Sequence, residues 1–270
     1  MSAEFGDRLH VTSDVATSGV VLNTRMPPFN DVRVRRALNF AVDRAAAAAA
    51  WPSPATPTCQ ILPPGLPGYR PYCPYTLHPS LRGSWDSPDF VSAEQLVAAS
   101  HTKGMQVTLW SLPQPAPAVK AVVRALSDLG YRVTFKVSKP LVDYFAYVGD
   151  SRHKVQAGFV GWGADSFRGG DFIVPLFACG SFSGGSPLNT NISEFCDPSI
   201  DVLIRQAEQL ESTSRQAAND LWAHADKRIT DASPWIPLVN NSSVDAVSSR
   251  VHNYLRHPIL GVLFDQMWVV

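Results

Sequence analysis

Apolar residues recur at Val34, Ala37, Leu38, Ala41, Val42 and Ala45, the three- and four-residue spacing that lays one buried stripe along a helix. The polar Arg33, Arg36, Asn39, Asp43 and Arg44 fall outside that stripe. A β-prone run over residues 19–24 leads in, and Pro27 and Pro28 hold the backbone extended between the two. Asn30 is placed to cap the helix, with Asp31 at the positive end of its dipole. The alanines at 45–50 prolong it until Trp51-Pro52 ends it.

Residues 53–88, rich in proline and glycine, read as an extended surface loop. A helix capped by Ser92 follows to Ser100, then an alternating strand at 105–110. Val119, Val122, Val123, Leu126 and Leu129 mark one face of a helix over 116–129, stopped by Gly130. A strand at 131–137, a helix from Pro140 to Val148 and a strand at 156–162 complete a β-α-β-α-β series. Its short joints mark a parallel sheet covered by helices. The last third opens with a short helix at 172–177. A longer helix has Asp197 as N-cap and Pro198 as first residue, and another runs from Ser212 or Ser214 to Thr230. Residues 236–248 and 262–269 read as strands.

Composition narrows the class. Of 270 residues, 45% are hydrophobic and 17% charged, and the net charge is zero. That excludes a disordered chain and offers no basic surface for nucleic acid. No apolar run reaches the length of a membrane span. Met1 to Arg8 lacks the basic start and apolar core of a signal peptide, which alone points to the cytoplasm. The cysteines argue the opposite. Cys59 and Cys73 bracket the proline-rich loop, and Cys179 and Cys196 bracket a Gly/Ser-rich one. A disulfide across either would contribute about 3 kcal/mol by constraining the unfolded chain. Four reduced, buried cysteines are the alternative, and zinc is disfavoured because no close Cys/His spacing occurs. Two local disulfides are expected, and with them an exported parent protein.

The wording of one stretch goes further than its periodicity. LNTR-x-PPF-x-DVRVRRALN-x-AVDR, from Leu22 to Arg44, resembles the family 5 extracellular solute-binding proteins, the oligopeptide- and dipeptide-binding receptors of ABC importers. So do PPG-x-PGY at 63–69, Pro234 to Leu238, and Gly261 to Trp268. The resemblance implies an α/β fold: the C-terminal lobe of a periplasmic-binding-protein-like (type II) structure, with a mixed sheet covered by helices. It implies that residues 25–234 are the ligand-binding lobe and that the strands in 1–24 and 235–270 belong to the hinge-side lobe. The N-terminal half, with signal sequence and lipid anchor, would then lie outside this chain. The implied activity is not enzymatic. A monomeric receptor captures peptides or similar small solutes in the cell envelope and passes them to ABC permease subunits, with no cofactor, metal or nucleic acid. Half of such a clamp is expected to bind ligand weakly or not at all. The rival expectation is a solute-sensing or interaction module of a larger regulatory protein, uncoupled from transport.

Gly161-Trp162-Gly163-Ala164-Asp165 is the stretch where chemistry concentrates. It follows a buried strand, at the carboxyl end where open α/β sheets present ligand sites. Glycines admit close approach of a ligand, and a carboxylate there can neutralise an amino group. The resemblance implies that Asp165 meets a peptide's α-amine, with Trp162 as pocket wall and Gly163 beside it. Arg168 is a further candidate, for a ligand carboxylate. Asp165 as a helix or turn cap and Trp162 as a core residue are the plain alternatives. The sequence departs from the peptide-binding pattern in having no basic residue shortly before Trp162, and in Ser166-Phe167-Arg168. Other motifs fail. Gly161-Trp162-Gly163 lacks the third glycine of a dinucleotide site, Gly180 to Gly184 has Phe182 where a nucleophile would stand, and the seven histidines show no metal spacing.

Overall fold

Alternate residues along the central strands enter two different cores, as the pleat requires of a sheet covered on both faces. Val20 and Leu22, Ala157 and Phe159, and Ile236 and Leu238 join one core. Val21, Val160 and Trp235 join the other. The computed structural model describes residues 6–138, 141–186 and 188–270, with residues 7 and 141–143 described by backbone alone.

Among those residues, β1 (Leu9–Ser13), β2 (Ala16–Leu22), β3 (Ala55–Pro57), β4 (Gln106–Ser111), β5 (Arg132–Val137), β6 (Ala157–Gly163) and β7 (Trp235–Ala246) form one mixed sheet. Its order is β1-β7-β2-β6-β4-β5, with β3 also on β7. β5, β4 and β6 run parallel, as the β-α-β-α-β series requires, and the remaining pairs are antiparallel. Helices α1 (Val32–Ala41), α2 (Arg44–Ala49), α3 (Phe90–Ser100), α4 (Ala116–Asp128) and α5 (Leu141–Gly149) cover the first core. Helices α6 (Gly170–Phe177), α7 (Pro198–Leu210) and α8 (Arg215–Ala232) cover the second. The expected mixed sheet covered by helices is thus the one observed. β2 and Trp235 to Val239 of β7 are buried within it, and β7 becomes partly exposed only beyond Val239, where it pairs with β1.

Several local expectations are corrected. Pro27 and Pro28 lie in a run of turns, joined by a cis bond. The α1 cap is Asp31, which accepts from the Arg33 amide at 2.8 Å, and not Asn30. The helix does not continue through the alanines, because Asp43 caps α2 by accepting from the Ala46 amide at 2.9 Å. That break turns Ala45 out and Arg44 in. The Arg44 guanidinium is fully buried; burial pushes its pKa down to about 9. Its donors are nevertheless used: Nε reaches Thr58 O at 2.9 Å and Pro237 O at 2.8 Å, and Nη1 and Nη2 reach Asn39 O and Oδ1, each at 2.8 Å. Asp89, not Ser92, caps α3. Pro140 lies outside the described residues. Residues 262–269 form no single strand: Gly261–Val262 and Trp268–Val269 pair separately, around a turn of 3-10 helix at Phe264–Gln266. Phe264, Trp268 and Val269 remain exposed there, so no core face fixes a longer register.

Both expected disulfides are present, Cys59–Cys73 and Cys179–Cys196, with Cα separations of 5.0 and 4.5 Å. The first closes the proline-rich loop, which is pinned to α8. The buried Asp226 carboxylate accepts from Gln60 Nε2 at 2.7 Å and from the amides of Ile61 and Leu62 at 3.1 and 3.2 Å.

Candidate functional site

β4 accompanies β6 only through Leu109–Ala157 and Trp110–Gly158, whereas β2 follows it as far as Gly163. The Ala164 amide donates to Val15 O at 2.9 Å, which fixes the alternation. Gly158, Val160 and Trp162 turn their backbone groups toward β2, and Phe159, Gly161 and Gly163 turn theirs away. Phe159 O accepts from the Tyr144 hydroxyl at 2.9 Å, and Trp110 O takes the same donor at 3.2 Å. Tyr144 thereby closes the gap between β4 and β6 up to Phe159, and burial raises its pKa, keeping it protonated. Gly161 and Gly163 stand beyond that closure, paired to β2 on one side and with no neighbouring strand among the described residues on the β4 side. An unpaired edge of this kind is a template for an extended chain. It lies at the carboxyl ends of three parallel strands.

A cleft of about 620 Å³ opens beside the edge, lined by Trp162, Asp165, Arg168, Asp171, Glu208, Glu211 and Trp222 among others. The Trp162 indole is half-buried and held by its Nε1–H, which donates to Asp171 O at 2.8 Å. The Asp171 carboxylate accepts from the Ser166 amide, folding the loop back on itself. Arg168 places Nη2 3.6 Å from Asp171 and Nη1 3.3 Å from Glu211. Glu211 also accepts from Trp222 Nε1 at 3.2 Å. Gly169 is required here: a Cβ on it would lie 2.7 Å from Cβ and Cγ of Trp222.

The structure therefore brings Trp162, Asp165 and Arg168 together in the lining of the cleft, whereas Gly163, the last residue of β6, borders a different hollow with Ala16, Arg256 and Gly261. Asp165 is exposed and makes no hydrogen bond or ion pair with any described residue. It does not cap α6, whose N-terminus has no side-chain cap. Arg168, by contrast, is already held by two carboxylates. Sequence reading missed Asp171, Glu208, Glu211 and Trp222; the last three join the cleft only because α7 and α8 pack behind α6. Among the described residues no group of three or more His, Cys, Asp and Glu side chains is placed to hold a metal ion. Nor is any described helix long and apolar enough to cross a membrane.

Residues 4–184 match the family described as "Bacterial extracellular solute-binding proteins, family 5 Middle". The chain is 26% identical over 259 residues to "Probable di/tripeptide-binding protein 5" of Pseudomonas aeruginosa, covering 93% of this chain and 45% of that one. It is 27% identical over 254 residues to "Heme-binding protein A" of Haemophilus influenzae, covering 88% and 42%. The solved structure of "Clavulanic acid biosynthesis oligopeptide binding protein 2" superposes with a TM-score of 0.87 at 24% identity, over 97% of this chain and 48% of that one. The fold is that of the type II periplasmic binding proteins. The chain spans about half the length of the curated relatives it matches.

Proposed function

The chain belongs to the bacterial extracellular solute-binding proteins of family 5, and from that membership we propose that it is one lobe of a receptor for a short peptide or similar small solute. One observation carries the reading: the open edge at Gly161 and Gly163 ends beside the unpartnered carboxylate of Asp165. An extended peptide laid on that edge pairs its main chain with the two glycines. Its α-amine then reaches Asp165 in a charge-assisted hydrogen bond, about 1.5–3 kcal/mol. Trp162 walls the site, and Arg168, fixed by Asp171 and Glu211, borders it.

The rest of the reading follows from the same membership. Residues 25–234 hold the ligand side, while 1–24 and 235–270 lead toward a second, hinge-side lobe. Exposed Val11, Val244, Phe264 and Trp268 on β1, outer β7 and the tail support a covering partner there. Ligand is held between the two lobes and delivered to ABC permease subunits, without chemistry. The two disulfides favour an extracytoplasmic setting.

The test is a titration of the 270-residue chain with free-amine tripeptides, followed by the amide resonances of Gly161 and Gly163. Acetylating the peptide or substituting Asp165→Asn weakens binding about tenfold or more, the equivalent of 1.4 kcal/mol. Equal binding of acetylated and free peptides removes Asp165 from the site. A micromolar affinity of this chain by calorimetry removes the need for a second lobe.

A further inference from the structure

We infer that the site selects peptides carrying a bulky apolar side chain, seated in a pocket formed by Phe145, Trp162, Leu176 and Ile192. The inference rests on the reading that Gly161 pairs with the ligand's main chain. A second cavity, of about 330 Å³, shares Trp162 with the acidic cleft and no other lining residue. Gly161 is part of its wall. That volume is at the lower limit of whole-ligand pockets, and suits one side chain of a ligand whose backbone lies outside.

The chemistry of the lining is what commits the occupant. No described residue bordering this cavity is charged. Its two polar side chains are already satisfied within the protein. Thr190 Oγ1 donates to Pro175 O at 2.7 Å. Asn189 Nδ2 donates to Gly149 O at 3.0 Å and Asn191 O at 3.1 Å, while its Oδ1 accepts from the Ser183 amide at 3.1 Å. A polar or charged ligand group entering here meets no unengaged side-chain donor among the described residues and loses its water. An apolar one gains, and it also covers Leu188, which stands 86% exposed at the rim.

Geometry gives the position along the peptide. β6 runs toward Asp165, so a ligand with its amine at Asp165 runs antiparallel to β6 and returns toward Gly161. The apolar side chain therefore follows the amino-terminal residue, at the second or third position. Trp162 borders both this cavity and the cleft that Asp165 lines, and its Nε1–H bond to Asp171 O holds the indole in place.

The experiment uses the labelled 270-residue chain and free-amine tripeptides: trialanine, and variants with Leu, Phe or Lys in turn at the second and third positions. Binding is read from the Gly161 and Gly163 amides up to millimolar peptide. Leu or Phe at one of the two positions binds about tenfold tighter than Ala, and Lys no tighter than Ala. Phe145→Ala and Ile192→Ser each reduce the ratio of Leu- to Ala-peptide affinity toward one. If all side chains bind equally while Asp165→Asn still weakens every peptide, the apolar pocket is overturned and the site stands. If no peptide moves either glycine amide, both readings fall together.

Discussion

Arg44 Nε donates to Pro237 O at 2.8 Å from a position with no exposed surface, and no described carboxylate pairs with it. Carbonyl oxygens from the last turn of α1, the proline-rich loop and β7 converge on this one guanidinium. Arg44→Ala leaves those acceptors buried without donors. A loss of about 3–5 kcal/mol is expected in urea unfolding. Arg44→Lys recovers only part of it, since an ammonium cannot reproduce the planar fork.

At Gly19 there is no room for a methyl group between β2 and β7. The Cβ of a residue replacing Gly19 would lie 2.2 Å from Ile236 O, a backbone atom beside the register shift at Ser18/Gly19. Gly19→Ala is expected to cost about 1–3 kcal/mol or more. Gly163→Ala is the control: the nearest atom to its added Cβ is 4.0 Å away, and stability should change by no more than about 0.5 kcal/mol.

Asp226 makes stability depend on pH. Burial pushes its carboxyl up to about 7 from 3.8, against the donors from Gln60, Leu62 and Ile61. A folded-state pKa above the unfolded one means the stabilisation is full below pH 3.8 and is lost as pH rises through 7. Asp150 has the opposite sign: Arg152 holds it at about 2, so its contribution is full above 3.8 and fades as pH falls toward 2. Urea unfolding across pH 4 to 8 should show a decline that Asp226→Asn flattens.

Each disulfide closes a short loop, with sequence separations of 14 and 17, and each should contribute about 3 kcal/mol. The unfolded, unreduced protein should show no free thiol, and reduction should release four. Replacing Cys59 and Cys73 by serine should loosen the loop over α8, with faster amide exchange at Ile61 and Leu62. Replacing Cys179 and Cys196 should leave those amides unchanged.

Periodicity revealed the layers because apolar side chains report their own burial. Val34, Ala37, Leu38 and Ala41 fall inward as spaced, and the parallel series appears in order. It could not reveal Arg35, Asn39 and Arg44, polar residues buried because distant carbonyls receive them: Ala232 O, Trp235 O and Pro237 O. Asp43 interrupts the helix for a local reason, its own cap, which a six-alanine run disguises. At the site, Trp162 and Asp165 were legible from one five-residue word. The engagement of Arg168 was not, since its partner Glu211 lies 43 residues away.

β7 runs unbroken from Trp235, sealed in the core, to Ala246 at the rim. No loop intervenes to absorb a displacement. A load placed on β1 and the outer strand therefore passes through β7 to β2 and on to β6, the strand that carries Trp162.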